Sequence, residues 1–229
     1  MSFLKAEWRK LIMANYEVDP AILEPYVPFG TELDFYDDKC YVSLVGFMFM
    51  NTKLLGVKIP FHINFEEVNL RFYVKKEEKR GVVFIKEIVP KPALSFVANT
   101  VYKENYVTRS MSHKWIKHED DLDVEYSWGK ENLISVKAQL KPIEINENSL
   151  TEFIAEHYWG YSKVNDKQTT EYEVKHPRWK SYPVKEYKIS VDFRDNYGTS
   201  FNFLNHKKPS SVFLLEGSEV SVENKKIIK

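Results

Sequence analysis

The chain has 229 residues, 43% of them hydrophobic and 29% charged, an ordinary balance for a folded globular protein and the wrong one for a disordered segment. Its 33 Lys+Arg are matched by 33 Asp+Glu, so the basic excess that accompanies nucleic-acid binding is missing and a nucleic-acid partner is not expected. A single cysteine, Cys40, excludes an internal disulfide framework, and no apolar run approaches the ~20 residues of a membrane-spanning helix.

The opening stretch "MSFLKAEWRKLIMANYEV" carries acid and base within its apolar part and lacks a small-residue cleavage site, so it reads as a first strand and not as a signal peptide. A cytoplasmic location is the expectation. "VDPAILEPYVP" follows as a short helix, with Asp19 at the cap and Pro20 at the first helical position. "ELDFYDDKCYVSLVGFMFM" predicts a hairpin turning at Asp37-Asp38, whose second strand is apolar on both faces and therefore buried on both. In "FEEVNLRFYVK" (Phe65 to Lys75), alternation puts Val68, Leu70, Phe72 and Val74 on one face and Glu67, Asn69, Arg71 and Tyr73 on the other. That strand pairs across "KKEEKRG" with "VVFIKEI".

"PKPALSFVANTVYK" changes period: Leu94, Val97, Ala98, Val101 and Tyr102 recur at helical spacing. Strands resume at "NYVTRSMSHKWIK", "DVEYSWG" and "LISVKAQL", and a capping box, Ser149 with Glu152, opens a helix over "SLTEFIAEHY". Further strands are expected at "EYEV", "VKEYKISV" and "SVFLL". With 15% aromatic residues to fill a sheet core, these elements predict an α+β fold of mostly antiparallel sheet with two or three helices. No linker or repeat divides the chain, so residues 1–229 are expected to form one domain.

The chain has no phosphate-cradling glycine loop and no nucleophile-elbow serine. Its six histidines show no metal-binding spacing, His113 and His118 falling on opposite faces of a strand; neither a metal nor a cofactor is expected. Candidate site residues come from the polar row. Glu67, Asn69, Arg71 and Tyr73 form either a solvated sheet face or the wall of an enclosed site. In the second case Arg71 suits a carboxylate through its planar fork, and Glu67 would orient Arg71 or act as a base. Tyr102, Glu104, Tyr106 and Arg109 stand where a helix becomes a strand, either as core and surface residues or as the cap of a cavity mouth. His176 precedes a proline and is therefore extended; it reads as a loop histidine packing on Trp179 or as a catalytic one. Cys40 reads as inert core.

Several segments together, "WRKLIMANYEVDPAILEPYVPFGTELDFYDDKCYVSLVGFMF", "FEEVNLRFYV", "GVVFIKEI", "TEFIAEHYWGY" and "VKHPRW", resemble in order and spacing the YqjF-like family of uncharacterised bacterial proteins. That family is grouped with the acetoacetate decarboxylase-like superfamily. The resemblance implies a barrel-like sheet with flanking helices around a deep central pocket. It also implies that Glu67 is similar in place to a pocket glutamate of the enzyme. The parent chemistry uses a Schiff-base lysine in a Gly-aromatic-Pro-Lys-Lys stretch. That motif is missing here: Tyr106 and Val107 fall where the lysines would be, and Lys103 is near but displaced. The expectation is a small-molecule protein whose ligand is an organic anion bound by Arg71, Glu67, Asn69, Tyr73 and Tyr106, with catalysis left open. The alternative is a non-catalytic interaction or structural protein with a filled barrel.

Overall fold

The computed structural model describes residues 2–92, 95 and 105–229. Strand β1 (Leu4–Val18) leads into helix α1 (Pro20–Leu23), where the Asp19 side chain accepts the Ala21 N–H at 2.9 Å. Then come β2 (Glu32–Leu33), β3 (Cys40–Leu54), β4 (Phe65–Lys76) and β5 (Lys79–Val89). After β6 (Tyr106–Thr108) follow β7 (Met111–Lys117), β8 (Asp121–Trp128), β9 (Asn132–Gln139) and β10 (Ile143–Glu144). Helix α2 (Leu150–Ala155) precedes β11 (Trp159–Asn165), β12 (Gln168–Lys175), β13 (Lys180–Tyr182) and β14 (Val184–Ser190). Helix α3 (Phe193–Tyr197), a 3-10 segment (Thr199–His206), β15 (Ser211–Val222) and β16 (Lys226–Ile228) complete the chain.

The described residues form two sheets, mostly antiparallel. The larger runs β10-β13-β15-β1-β3-β4-β5-β11-β12-β16, with β2 added to β4 and β6 to β5; the smaller runs β14-β9-β8-β7. The large sheet curls: β12, far from β15 along that order, also pairs with it through Val174↔Val222 and Lys175↔Ser221. Among the described residues, no helix is long and apolar enough to cross a membrane.

The curl gives the central strands two buried faces. On the outer face Val42, Leu44, Val68, Leu70 and Phe72 pack with Leu122, Val124, Tyr126, Ile134 and Val136 of the small sheet. On the inner face Tyr41, Val45, Phe47, Phe49, Phe65 and Tyr73 pack with Met13, Phe153 and Ile154. Both faces of β3 are thus apolar, as its sequence predicts, and the two faces of β4 differ because one carries the polar row.

Two segments depart from expectation. Asp37 and Asp38 do turn, with φ of 49° and 60°, but they close only the bridge Tyr36↔Lys39. The residues before the turn do not extend a ladder on β3, because β1 and β4 already occupy both its edges; β2 pairs with β4 instead, through Glu32↔Lys75 and Leu33↔Val74. "NYVTRSMSHKWIK" is two strands, since β6 runs parallel to β5 in the large sheet and β7 antiparallel to β8 in the small one. The helix expected over "PKPALSFVANTVYK" lies almost wholly outside the described residues.

Where β15 meets β1, the backbones approach so closely that only glycine fits. Gly217 has φ of +77°, and a Cβ there would lie 1.9 Å from the Trp8 carbonyl oxygen. Gly217→Ala is expected to lower stability by about 2 kcal/mol, read as a Tm drop of roughly 5 °C in a thermal melt. An unchanged Tm would mean that β15 moves aside at little cost.

Candidate functional site

The inner face lines a partly open cavity of about 220 Å³ with mostly apolar and aromatic walls, among them Trp8, Phe47, Phe49, Phe65, Phe84 and Trp159. Its polar lining includes Glu67, Asn69, Arg71, Glu87, Tyr106 and His157. A largely apolar concavity with a few convergent polar groups is the usual make-up of a small-ligand site.

Three of the four row residues on β4 line this cavity. Asn69 Nδ2 donates to Glu67 Oε1 at 2.9 Å, and the Tyr106 hydroxyl donates to Glu67 Oε2 at 3.3 Å. The described lining residues do not include Tyr73. Ser43 Oγ lies 2.6 Å from both Asn15 Oδ1 and the Tyr73 hydroxyl. Its one proton goes to the Asn15 carbonyl, so Tyr73 donates to Ser43. The Tyr73 hydroxyl is thereby spent inside the sheet, and its ring serves as a platform for the residues above it.

Arg71 is 8% exposed, yet among the described residues it has no carboxylate partner. Its Nη2 sits 3.4 Å from the Ile154 carbonyl and 3.9 Å from the Met13 sulfur, and its Cζ lies 5.7 Å from the centroid of the Tyr73 ring. Nε is buried with no hydrogen-bond partner among the described residues. The neutral contacts are long and few for a group that cannot shed its charge. Among the described residues Asn69 Oδ1, Trp8 Nε1, Thr52 Oγ1 and His157 Nδ1 are also buried without partners, and all four belong to residues lining the same cavity. Orphaned polar atoms are scarce in folded proteins, and here several of them belong to residues around one cavity.

A backbone irregularity sets the cavity side of β5. Leu70 pairs with Lys86, but the next residue, Arg71, pairs with Phe84, so one extra residue is accommodated at Ile85. Strict alternation from Val82 and Phe84 would turn Lys86 inward. The bulge turns Glu87 in instead, opposite Asn69, and sends Lys86 outward to donate to the Asn196 carbonyl. Glu87 was therefore not readable from periodicity.

The other group missed in the sequence is His157, just beyond α2. Its side chain is 1% exposed, and Nε2 lies 3.2 Å from Asp34 Oδ2, which also accepts from Arg80 Nε at 2.6 Å. The imidazole packs on Tyr73, with centroids 4.6 Å apart, and edge-on to Phe153 at 5.2 Å. Burial, reinforced by the positive charges of Arg80 and Arg71, pulls the imidazole down to about 4 against the pull of Asp34. Against burial, the hydrogen bond from His157 and the neighbouring Arg80 together hold the Asp34 carboxyl below its usual range. The ring is neutral at physiological pH, and a neutral ring beside a carboxylate carries its proton on Nε2.

The remaining candidates disperse. His176 stacks on Trp179 at 4.1 Å and 17°, as the packing reading has it, and its Nδ1 lies 2.9 Å from the Pro177 carbonyl oxygen. Arg109 is exposed, 3.5 Å from the Thr108 carbonyl. Burial pushes the Cys40 thiol up to about 11, which leaves it unreactive. Tyr102, Lys103 and Glu104 lie outside the described residues. Among the described residues, no cluster of three or more His, Cys, Asp or Glu stands ready to hold a metal ion.

A model of the DUF2071 family, described as an uncharacterized conserved protein, matches residues 5–219. The chain belongs to this family. It is 26% identical over 181 residues to the uncharacterized protein YqjF of Bacillus subtilis (strain 168), covering 77% of this chain and 74% of that one. Solved structures share the fold at low identity. The enduracididine biosynthesis enzyme MppR complexed with pyruvate aligns with a TM-score of 0.68 at 10% identity, over 100% of this chain and 91% of that one. An acetoacetate decarboxylase from Legionella pneumophila aligns at 0.66 and 13%, over 99% and 87%. An acetoacetate decarboxylase-like enzyme from Sphingomonas wittichii RW1 aligns at 0.68 and 9%, over 100% and 94%. This DUF2071 protein therefore has the acetoacetate decarboxylase-like fold.

His157 gives the family member a measurable pH signature. Below pH 6.5 the unfolded chain protonates this imidazole while the folded chain does not, so stability falls with pH until about 4. The loss is at most about 3 kcal/mol. His157→Phe removes that contribution, and urea denaturation between pH 7 and 4.5 is expected to show a shallower decline than wild type. Equal slopes would mean that His157 does not carry the titration.

Proposed function

We propose that this protein binds a small organic carboxylate in the inner cavity, with Arg71 as the anchor. The observation that carries the reading is a buried guanidinium without an ion-pair partner among the described residues, on the wall of a cavity of about 220 Å³. A bound carboxylate would supply the two parallel hydrogen bonds that Arg71 lacks and cancel its charge in an apolar surround. The open volume favours this reading over a filled, purely structural interior. The fold neighbours point the same way, since one is a complex with pyruvate and others are acetoacetate decarboxylases or enzymes like them.

The binding we propose is non-covalent. The family resemblance implies that Tyr106 falls where the decarboxylases carry their lysine, and Tyr106 turns its hydroxyl toward Glu67. Borohydride reduction in the presence of acetoacetate is expected to leave the protein mass unchanged. A lysine adduct, on Lys103 or elsewhere, would return this protein to Schiff-base chemistry.

Arg71→Met keeps the length of the side chain and removes the charge. Calorimetry is expected to show carboxylate affinity reduced by about 100-fold or more. The Tm should hold or rise, because an unpaired buried charge has been replaced by an apolar chain. Equal carboxylate binding by the variant, or none by wild type, would contradict the anchor.

A further inference from the structure

The Asp34–His157 pair is built for more than packing. A histidine introduced only to fill space between Tyr73 and Phe153 needs no carboxylate, yet Asp34, 7% exposed, reaches it across 123 positions of sequence. Asp34 is itself held by Arg80, whose guanidinium lies over the Phe153 ring at 4.5 Å. This arrangement fixes one face of the imidazole as the donor. The opposite nitrogen, Nδ1, is then a lone pair, buried and without a donor among the described residues, on a residue that lines the cavity. Arg71 and His157 share a support, with the guanidinium 5.7 Å and the imidazole 4.6 Å from the Tyr73 ring centroid. Ile154, whose carbonyl contacts Arg71, and His157 belong to the same short stretch of chain at α2. The charge of Arg71 is felt at the imidazole, so the two groups are near enough for one small acid carrying a hydrogen-bond donor on its chain to meet both.

We propose that His157 Nδ1 accepts a hydrogen bond from a hydroxyl group on the acid that Arg71 holds, so that the cavity selects short 2- or 3-hydroxy acids over the same acids without the hydroxyl. The inference rests on the Arg71 reading and adds the substrate class to it. Asp34 is a positioning residue, since it acts by keeping the ring proton on Nε2. The corresponding 2-oxo acid brings a carbonyl oxygen to the lone pair, and acceptor against acceptor gains nothing. An ammonium in place of the hydroxyl would donate to Nδ1 but would bring a third positive charge beside Arg71 and Arg80.

Calorimetry with four matched four-carbon acids tests this: butyrate, 2-hydroxybutyrate, 3-hydroxybutyrate and 2-oxobutyrate. Wild type is expected to bind at least one hydroxy acid roughly ten-fold tighter than butyrate, with 2-oxobutyrate no tighter than butyrate. In His157→Phe the ratio of hydroxy-acid to butyrate affinity is expected to fall to about one, whatever the change in butyrate affinity itself. Should butyrate match both hydroxy acids in wild type, or the preference survive in His157→Phe, the His157 inference falls and the Arg71 anchor stands. Should wild type bind none of the four, both fall. If His157→Phe does not fold, nitrogen NMR of the wild-type histidine rings decides instead. The Nδ1 resonance of His157 should be that of an unprotonated nitrogen and should move on adding the preferred hydroxy acid but not butyrate. A resonance that is protonated from the start, or that both acids leave unmoved, would overturn the proposal.

Discussion

The architecture depends on strands that are buried on both faces. β3 and β4 lie in the middle of a sheet that curls until β12 pairs with β15, and the small sheet covers the outer side. A strand in that position has no solvent face on which to place polar side chains. Every polar group on its inner side must therefore be satisfied by the protein or by something bound. Register then becomes functional: a one-residue slip of β4 would exchange Val68, Leu70 and Phe72 for Glu67, Asn69 and Arg71 against the small sheet. The paired aromatics Phe49↔Phe65, stacked at 4.7 Å, help pin that register at one end.

Within this frame the protein solves part of its polar problem internally. Asn15, Ser43 and Tyr73 satisfy one another in a chain of short hydrogen bonds, and Glu67 is held by Asn69 and Tyr106. Arg80, Asp34 and His157 form a second group, linked through Asp34 Oδ2. Arg71 differs among the described residues because it is a buried charge without a carboxylate. Its charge meets a carbonyl, a thioether and an aromatic ring, none of which neutralises it. Arg71, without a carboxylate partner among the described residues, thus shares the cavity wall with Glu67, Glu87 and His157.

Much of this was legible in the sequence. The two-faced pattern of "FEEVNLRFYVK" located the polar row, and the doubly apolar "CYVSLVGFMF" showed that its neighbour is buried, because strand periodicity depends on local geometry alone. The Asp19 and Ser149 caps were readable for the same reason; Ser149 Oγ accepts the Glu152 N–H at 3.2 Å. What was not legible depends on long-range geometry. Glu87 faces inward only because of the bulge at Ile85, and His157 gains its meaning from Asp34, which sits on a different part of the chain. The short reach of the first hairpin also required knowing that both edges of β3 are taken. Tyr73 was read by alternation onto the correct face, but its use by Ser43 was hidden, since cross-strand pairing is not written in either strand by itself.

The central claim is that Arg71 awaits an external anion, and the most direct measurement is a crystal structure of the protein grown with a saturating short carboxylate. The account predicts density for the carboxylate inside the cavity, with both oxygens on the Arg71 guanidinium and the β3–β4 register unchanged. A structure in which Arg71 instead pairs with a protein carboxylate, or in which the cavity stays empty while the acid binds elsewhere, would contradict it.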